Sequence, residues 1–361
     1  LYVDLFSSRP KIKEIHLGGG TPTFFSPENL KKLIDGIFEY ADVAEGHEFS
    51  LEGHPNNTTR EHLQALYDLG FRRISYGVQD YDLKVQEAIN RVQPFENVKR
   101  ATEEASEIGF TSISHDLIFG LPHQTMEGMM ETINLTKELN PDRISFYSYA
   151  HVPWIKGVGQ RGFHDDDLPS PELKRALYEE GKKMFEEMNY FEVGMDHFAL
   201  EQDSMYQSMK NHTLHRNFMG YSSSKTQLMV GLGVSSISDS WYSFAQNEKT
   251  VEEYEKSINN GELSVFKGHI LSEEDLIMRR HILNLMCNLE TSWADDNMKF
   301  DDVDRIKTML QDMVDDNLIE FVENGLIVKE EGRPYVRNVC MTFDKRMIDN
   351  EPETRIFSMT I

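Results

Sequence analysis

The chain has 361 residues, of which 39% are hydrophobic and 27% are charged, as in ordinary folded globular proteins. Its 61 acidic residues outnumber its 37 basic ones, and the formal net charge of -24 excludes an extended basic surface for DNA or RNA. The cysteines Cys287 and Cys340 lie far apart in the sequence and exclude a disulfide framework and a CxxC metal motif. Because no apolar run is long enough to span a membrane and no signal peptide is visible, a soluble, cytoplasmic protein is predicted.

Short β-rich segments alternate with amphipathic helical segments along the first part of the chain. The strand candidates are IKEIHL, EFSLEG, RRISYGVQ, TSISHDLIFG, RISFYSYAHV and FEVGMDHFA. Ser26, Thr59 and Ser170 stand where helix N-caps are expected. Pro27 and Pro171 follow two of them, at the first helical position. The six βα units predict an α/β fold with a parallel sheet curved into a partial barrel, and periodicity leaves a doubly wound open sheet as the alternative.

The βα pattern ends near residue 202, which predicts three regions. Residues 1–202 are expected to form the barrel, residues 203–270 a connecting region that encloses substrate, and residues 271–361 a mainly helical C-terminal domain with a winged-helix-like end. The acidic character of this end argues against DNA binding. Because the chain starts at Leu1 and enters a core strand almost at once, we expect that upstream sequence is missing and that the chain is a fragment.

Polar residues and glycines recur where the predicted strands end, which in a parallel barrel is the edge that builds the ligand site. They are Gly18 to Gly20, Glu52 and His54, Gln79 and Asp80, Ala150 and His151, and Asp196 and His197. Each also has a structural interpretation: tight packing for the glycines, a helix cap for Asp80, and satisfied core histidines for His151 and His197. Asp116 lies inside a strand between apolar neighbours, where a carboxylate is costly to bury without a partner.

Two arginines are candidates for binding anionic groups near these strand ends. Arg91 follows the third βα unit and could equally be a surface residue. Arg216 lies between hydrophobic and aromatic neighbours, which is less typical of a solvated surface. A guanidinium binds a carboxylate through two parallel hydrogen bonds, so both arginines suit carboxylate ligands.

These segments together resemble the radical S-adenosylmethionine (SAM) superfamily and, within it, the oxygen-independent coproporphyrinogen III oxidases. The resemblance runs over essentially the whole chain and rests on eight motifs in order. They are GGGTPT (18–23), GFRRISYGVQD (70–80), NRVQPFE (90–96), DLIFGLPHQT (116–125), LNPDRIS (139–145), GMDHFA (194–199), LHRNFMGY (214–221) and GLGVSSIS (231–238).

The resemblance implies a partial barrel of six βα units and a [4Fe-4S] cluster on a CxxxCxxC loop with one iron open to SAM. In this family reductive cleavage of SAM gives a 5′-deoxyadenosyl radical, which removes hydrogen from a propionate of coproporphyrinogen III. Carbon dioxide leaves and a vinyl group forms, and two propionates are processed. An electron donor for the cluster and a monomeric enzyme are also expected, with two SAM molecules in each site.

The family's cofactor residues transfer to this chain position by position. The first SAM site matches Gly19 and Glu52, and the second matches Gly20, Thr21, Gln79, Arg91, Asp116, Ala150 and Ile237. Glycines allow close backbone approach, carboxylates can accept ribose hydroxyls, and an arginine can pair with the methionine carboxylate. The residues expected to bind the substrate are Asp196, His197, His215, Arg216 and Phe218. Among them, Arg216 is expected to bind the propionate carboxylates.

The chain departs from the family pattern at three points. It holds no CxxxCxxC motif, so no metal ligand is expected in it, and taken alone it should be inactive. His54 stands where the family often has Asp, and Met219 stands where it often has Gln, which removes a side-chain hydrogen bond near the second SAM.

Three alternative functions are also compatible with parts of the sequence. The heme chaperone branch of the superfamily shares the early motifs but generally lacks the HRNFxGY and GMDHFA segments. A barrel hydrolase could hold zinc with Glu52, His54, Asp116, Asp196 and His197, although no HxH or HExxH spacing occurs. The chain could also be a non-catalytic fragment that binds SAM weakly.

Overall fold

The predicted partial barrel is confirmed by the computed structural model, which describes residues 1–152 and 162–349. Its strands are β1 (Lys11–Leu17), β2 (Asp42–Gly53), β3 (Phe71–Gln79), β4 (Ser112–Phe119), β5 (Arg143–Ser148), β6 (Tyr190–Val193) and β7 (His197–Leu200). Its helices are α1 (Pro27–Phe38), α2 (Arg60–Asp68), α3 (Leu83–Ala88), α4 (Phe95–Ile108), α5 (Met126–Leu139) and α6 (Pro171–Glu187). The sheet order is β1-β2-β3-β4-β5-β7-β6.

The sixth strand candidate forms two strands instead of one. FEVGMDHFA turns back at Gly194, where φ is +63°, so that β6 and β7 form a hairpin. Because β7 is antiparallel to both β5 and β6, β6 runs in the same direction as β1 to β5. All six predicted βα units are therefore present, with one additional strand inserted between the fifth and the sixth.

The helices begin where their caps predicted. The Ser26 hydroxyl accepts a hydrogen bond from the Asn29 amide, and the Ser170 hydroxyl accepts one from Leu173. Thr59 forms a capping box with His62 at the start of α2. These side chains satisfy amide groups that have no partner within the helix, which fixes the position of each first turn.

The sheet has an apolar outer wall and a polar inner wall, because side chains alternate along each strand. In β3, for example, Ile74, Tyr76 and Val78 are buried against the helices. Arg73 and Ser75 point to the opposite side, into the barrel. The hydrophobic core of the barrel therefore lies outside the strands, which leaves the inside available for a polar site.

The second half of the chain builds a separate hydrophobic core. Its elements are α7 (Ser204–Lys210), β8 (His215–Asn217), β9 (Gly220–Ser222), β10 (Ile237–Asp239), β11 (Ser243–Asn247), α8 (Val251–Asn259), β12 (Val265–Ile270), α9 (Glu273–Asn288), β13 (Glu290–Ser292), α10 (Val303–Met309), α11 (Gln311–Asp315), β14 (Ile319–Val322), β15 (Gly325–Val328), α12 (Val336–Met341) and α13 (Lys345–Asp349). The end is mainly helical with a small sheet of order β13-β15-β14. Within the described ranges, no helix is both long and apolar enough to cross a membrane.

The β6–β7 hairpin joins the two cores. Tyr190 and Phe198 pack into the barrel core, whereas Val193 and Ala199 pack into the second core. The boundary predicted after residue 202 thus follows a hairpin that both cores share, and the division into three regions stays a prediction.

Candidate active site

The turn after β1 presents bare backbone to open space. A Cβ atom on Gly18 would lie 2.7 Å from His16 Nε2 and 2.9 Å from Glu52 Oε1, so a larger residue there would displace the ends of these two side chains. Gly19 has φ of +82°, and nothing lies within 4 Å of a Cβ atom built on Gly19 or Gly20. Thr21 then leads into a short 3-10 helix over Pro22–Phe24. Gly19 and Gly20 therefore leave room for a ligand to approach the main chain closely.

The end of β3 brings two predicted cofactor residues together around Gly77. Arg91 Nη2 donates to the Gly77 carbonyl oxygen at 2.9 Å. A Cβ atom on Gly77 would lie 2.7 Å from both Arg91 Nη2 and Gln79 Nε2. Gln79 has φ of +70°, next to a register shift between β3 and β4, and such bulges re-aim side chains near functional sites. Gly77 was not among the residues that the sequence indicated, although a glycine inside a strand often signals close approach of another group.

Asp116 lies on the inner wall of β4, across from Gly77 in the register. The Ser75 hydroxyl donates to Asp116 Oδ1 at 2.9 Å. Burial raises the pKa of Asp116, while hydrogen bonds from Ser75 and Ser145 act in the opposite direction. Burial also lowers the pKa of Arg91, against the effect of the Asp116 charge. The inner wall thus holds a carboxylate and a guanidinium near each other, both partly removed from water.

A chain of three hydrogen-bonding side chains lies beside Asp116. His197 Nδ1 is 2.7 Å from Asp196 Oδ1, and His197 Nε2 is 3.3 Å from the Tyr147 hydroxyl. Burial and the negative charges of Asp116 and Asp196 raise the pKa of Tyr147, so its phenol is neutral. Although burial acts to raise it, the charges of His197 and Arg216 hold the pKa of Asp196 below its ordinary value. Tyr147 was not among the residues that the sequence indicated.

Arg216 reaches this group from β8. Its guanidinium carbon lies 4.5 Å from the centre of the Tyr221 ring. Arg216 Nη1 is buried and has no hydrogen-bond partner among the described residues. A buried guanidinium nitrogen without an acceptor fits an anionic ligand, because an unpaired buried donor is costly. Tyr221 continues the wall, with its ring centre 5.2 Å from that of His197.

Other predicted residues lie elsewhere. His215 alternates with Arg216 on β8, and burial and the charges of Lys225 and Arg279 lower its pKa. Phe218 is exposed and contacts Phe244 edge to face at 5.1 Å between ring centres.

Two further predicted cofactor residues lie at the rims of their sheets. Ile237 begins β10 and pairs with Gln246 of β11, in the small sheet of the connecting region. Ala150 follows β5 at the carboxyl edge of the barrel. His151, at the same edge, pairs with Asp165 at 3.1 Å.

The described residues do not fit an iron-sulfur cluster. Across residues 1–152 and 162–349, no three His, Cys, Asp or Glu side chains are grouped as a metal ion would require, which also leaves the zinc hydrolase without a site there. Cys287 and Cys340 are buried in the second core, where burial raises the pKa of each thiol to about 12. Neutral, buried thiols are poor metal ligands.

Comparisons with known proteins identify the family to which the chain belongs. Residues 2–136 match the radical SAM superfamily. The chain is 38% identical over 357 residues to the oxygen-independent coproporphyrinogen III oxidase of Helicobacter pylori J99, and the match covers 97% of this chain and 77% of that protein. The Escherichia coli K12 protein of the same name is 36% identical, covering 94% of this chain and 75% of its own length.

A solved structure extends the similarity to the fold. Coproporphyrinogen III oxidase (HemN) from Escherichia coli, described as a radical SAM enzyme, matches with a TM-score of 0.88 and 35% identity. The match covers 93% of this chain and 78% of that one, so it includes both hydrophobic cores. Members of this family use a [4Fe-4S] cluster and SAM. The chain belongs to the oxygen-independent coproporphyrinogen III oxidases of the radical SAM superfamily.

Proposed function

We propose that this chain provides the SAM-binding and substrate-binding parts of an enzyme that converts coproporphyrinogen III to protoporphyrinogen IX by oxidative decarboxylation of two propionates. The observation that carries the proposal is the polar inner wall, where Arg91, Asp116 and Arg216 face a barrel whose hydrophobic core lies outside the strands. Bound SAM supplies the hydrogen abstraction in this family. The residues of this chain bind and orient the reactants and exclude water.

Two groups of residues would hold SAM. The open backbone at Gly19 and Gly20 admits the methionyl part, and Glu52 lies within reach of the same turn. Farther along the inner wall, Arg91 is suited to a carboxylate and Asp116 to ribose hydroxyls. Gln79, held in a left-handed conformation beside Arg91, contributes an amide to the same surface.

Arg216 would bind a propionate of the substrate. Coproporphyrinogen III carries four carboxylates, and a chain with a net charge of -24 repels such a ligand unless a local cation reverses the field. Arg216 has a buried nitrogen without a partner among the described residues and an aromatic ring beneath it, which orients the guanidinium for an anion. Substrate binding would therefore depend on Arg216 of β8 lying beside Asp196 and His197 of the β6–β7 hairpin.

The residues described here provide no ligand set for a [4Fe-4S] cluster, so no reaction step that uses the cluster is assigned to them. We propose that the enzyme is a monomer, binds no nucleic acid, and receives electrons from an external donor. We further propose that this chain on its own binds SAM and substrate but does not decarboxylate. Loss of the cluster removes one anchor for SAM, so the affinity of the chain for SAM should be lower than that of an enzyme with its cluster.

Anaerobic titration and product analysis test the proposal. We expect calorimetry to detect SAM binding to the chain, weakened roughly tenfold by Arg91→Ala, and absorbance to detect binding of coproporphyrin III, weakened roughly tenfold by Arg216→Ala. Glu45→Ala, which removes a carboxylate at the start of β2, is the matched control. Protoporphyrinogen formed by the chain alone would contradict the claim of inactivity. Tight binding of hemin without binding of SAM or coproporphyrin would favour the heme chaperone instead.

A further inference from the structure

His16 is a residue of the inner wall to which no function has yet been given. It lies on β1 between Ile15 and Leu17, which both pack against the barrel core, so its side chain points into the barrel. The register places His16 opposite Ser50 of β2, and Glu52 follows two residues later on the same face of that strand. The imidazole keeps 24% of its surface exposed. His16 therefore lies directly before the turn proposed to admit SAM.

The His16 ring contacts β2 through both of its nitrogen atoms. Nδ1 is 2.9 Å from the Ser50 hydroxyl, and Nε2 is 3.4 Å from Glu52 Oε1. An ionised carboxylate only accepts hydrogen bonds, so the imidazole is the donor in the contact with Glu52. A hydroxyl both donates and accepts, so Ser50 can pair with a neutral or a charged ring. The longer contact is a weak hydrogen bond, and it leaves the Glu52 side chain 46% exposed for a ligand.

The backbone at Gly18 makes room for this pair. A Cβ atom there would approach His16 Nε2 and Glu52 Oε1 to within 3 Å, so the missing side chain leaves the space in which the two groups meet. The next two glycines, Gly19 and Gly20, face open space. The imidazole and the carboxylate thus lie beside the segment of bare main chain, where a bound nucleoside would contact the carboxylate.

A second carboxylate on the wall explains why Glu52 needs a partner on the β1 side. Burial is the main cause that raises the pKa of Asp116, and the charge of Glu52 adds to it, so the two carboxylates repel each other. Ser75 and Ser145 donate hydrogen bonds to Asp116 and hold it on β4. His16 is the donor on the opposite side of Glu52. Each carboxylate therefore has its own donors, and these lie on different strands.

We propose that His16 is a positioning residue that holds the Glu52 carboxylate toward the turn after β1, so that Glu52 accepts the ribose hydroxyls of the SAM bound at Gly19 and Gly20. The inference rests on the proposed function and deepens it, since it names the group that assigns one of two neighbouring carboxylates to the first SAM. Asp116 remains with the second.

Two probes isolate the ribose contact. SAM and its analogue without the 2′ and 3′ hydroxyl groups share the sulfonium, methionyl and adenine groups, so the ratio of their dissociation constants measures the hydroxyl contacts. We expect calorimetry to show that the chain binds SAM about tenfold more tightly than the analogue. His16→Ala should lower this ratio about threefold, because the carboxylate is no longer oriented. His16→Gln keeps an N–H donor and should retain most of the ratio.

A double variant shows whether His16 acts through Glu52. Glu52→Ala should lower the ratio by itself, and adding His16→Ala should lower it no further, since the carboxylate to be oriented is gone. His212→Ala is the matched control, because His212 is an exposed histidine after α7, and it should leave the ratio unchanged. A circular dichroism melting curve for each variant checks that the fold is kept.

The outcomes separate this inference from the proposed function. An unchanged ratio in His16→Ala, or equal weakening of both probes, would overturn the inference while the proposed function stands. The inference would also fail if His16→Ala lowered the ratio as much in the Glu52→Ala variant as in the unmodified chain. Failure of the unmodified chain to bind SAM would overturn the proposed function itself.

Discussion

At the scale of single residues, some inner-wall residues that are suited to ligand binding reduce the stability of the fold. Asp116 is kept among strand residues where burial raises its pKa, and its hydroxyl partners only partly offset that cost. Gly77 is kept small so that two neighbouring side chains can occupy the space of its missing Cβ atom. Both features weaken the isolated fold or contribute nothing to it, which is typical of functional sites.

Asp116→Asn should stabilise the chain at neutral pH and weaken SAM binding. Because burial raises the pKa of Asp116, the folded state retains this proton to higher pH than the unfolded state, and stability falls as pH rises from about 4 through the raised pKa. Asn removes that loss, so we expect the free energy of unfolding at pH 7 to rise by about 1 kcal/mol. Urea denaturation at pH 4 and pH 7 measures it. A gain of equal size at both pH values would show that the charge is not responsible.

Gly77→Ala should reduce SAM affinity with little effect on folding. The added methyl would meet the ends of the flexible Arg91 and Gln79 side chains, which can move aside without disturbing the sheet. We expect calorimetry to show at least a tenfold loss of affinity, while the melting temperature changes by only a few degrees. Gly36→Ala in α1 has open space around it, and this control should stabilise the helix by up to about 1 kcal/mol and leave SAM binding intact. Unchanged SAM affinity in Gly77→Ala would show that the position of the Arg91 side chain is not important for SAM binding.

At the scale of elements, a buried ion pair connects β5 with the start of α7. Arg143 Nε donates to Asp203 Oδ1 at 2.7 Å, and each side chain is only 2% exposed. Asp203 also accepts from the Ser112 hydroxyl on β4 and caps α7 through the Met205 amide. One carboxylate thus holds two barrel strands and the first helix beyond the barrel in register.

Asp203→Ala should be strongly destabilising. It leaves the Arg143 charge buried without its partner and removes the cap of α7, and we expect a loss of about 3–5 kcal/mol in the free energy of unfolding. Chemical denaturation monitored by far-UV circular dichroism measures this loss. Asp35→Ala breaks the exposed pair with Lys31 on α1 and should change stability by less than about 1 kcal/mol. Similar effects for both variants would rule out a special contribution of burial.

The sequence predicted the elements better than their connections. Caps such as Ser26 and Thr59 act through neighbouring residues, so they mark helix starts without knowledge of the fold. The split of FEVGMDHFA was not predicted, because both halves have the composition of a strand and only the left-handed Gly194 separates them. Tyr147 was missed for a related reason: its partner His197 follows 50 positions later, on a strand inserted beside its own.

At the scale of the whole molecule, the second half of the chain closes over the open side of the barrel. The hydroxyl groups of Ser222 and Ser224 donate to Glu14 of β1, and the Ser223 hydroxyl donates to Glu48 of β2 at 2.9 Å. A cavity of about 100 Å³ remains between this turn and the inner wall. These contacts join residues more than 170 positions apart, so no local sequence pattern could have indicated them.

Glu14→Ala should loosen this closure without unfolding the barrel. The serine hydroxyls lose their shared acceptor, and we expect amide hydrogens of residues 215–224 to exchange about tenfold faster, while those of β3 and β4 keep their protection. Hydrogen exchange followed by mass spectrometry measures both regions in one experiment. Glu45→Ala, a change outside the contact, is the control. Faster exchange throughout the sheet would mean that Glu14 stabilises the barrel as a whole.

The separation of the two walls of the sheet has a consequence for how such a chain can change over time. Since the apolar packing that drives folding lies on the outside, inward-facing positions that make no structural contact are tested mainly by what they bind, and outward-facing positions by whether the chain folds. Ligand specificity and folding therefore depend largely on different residues, which alternate along the same strands. Apart from inward-facing groups that stabilise the fold, such as the Arg143–Asp203 pair and Glu14, a barrel of this kind can therefore acquire a new substrate through a few inward-facing changes.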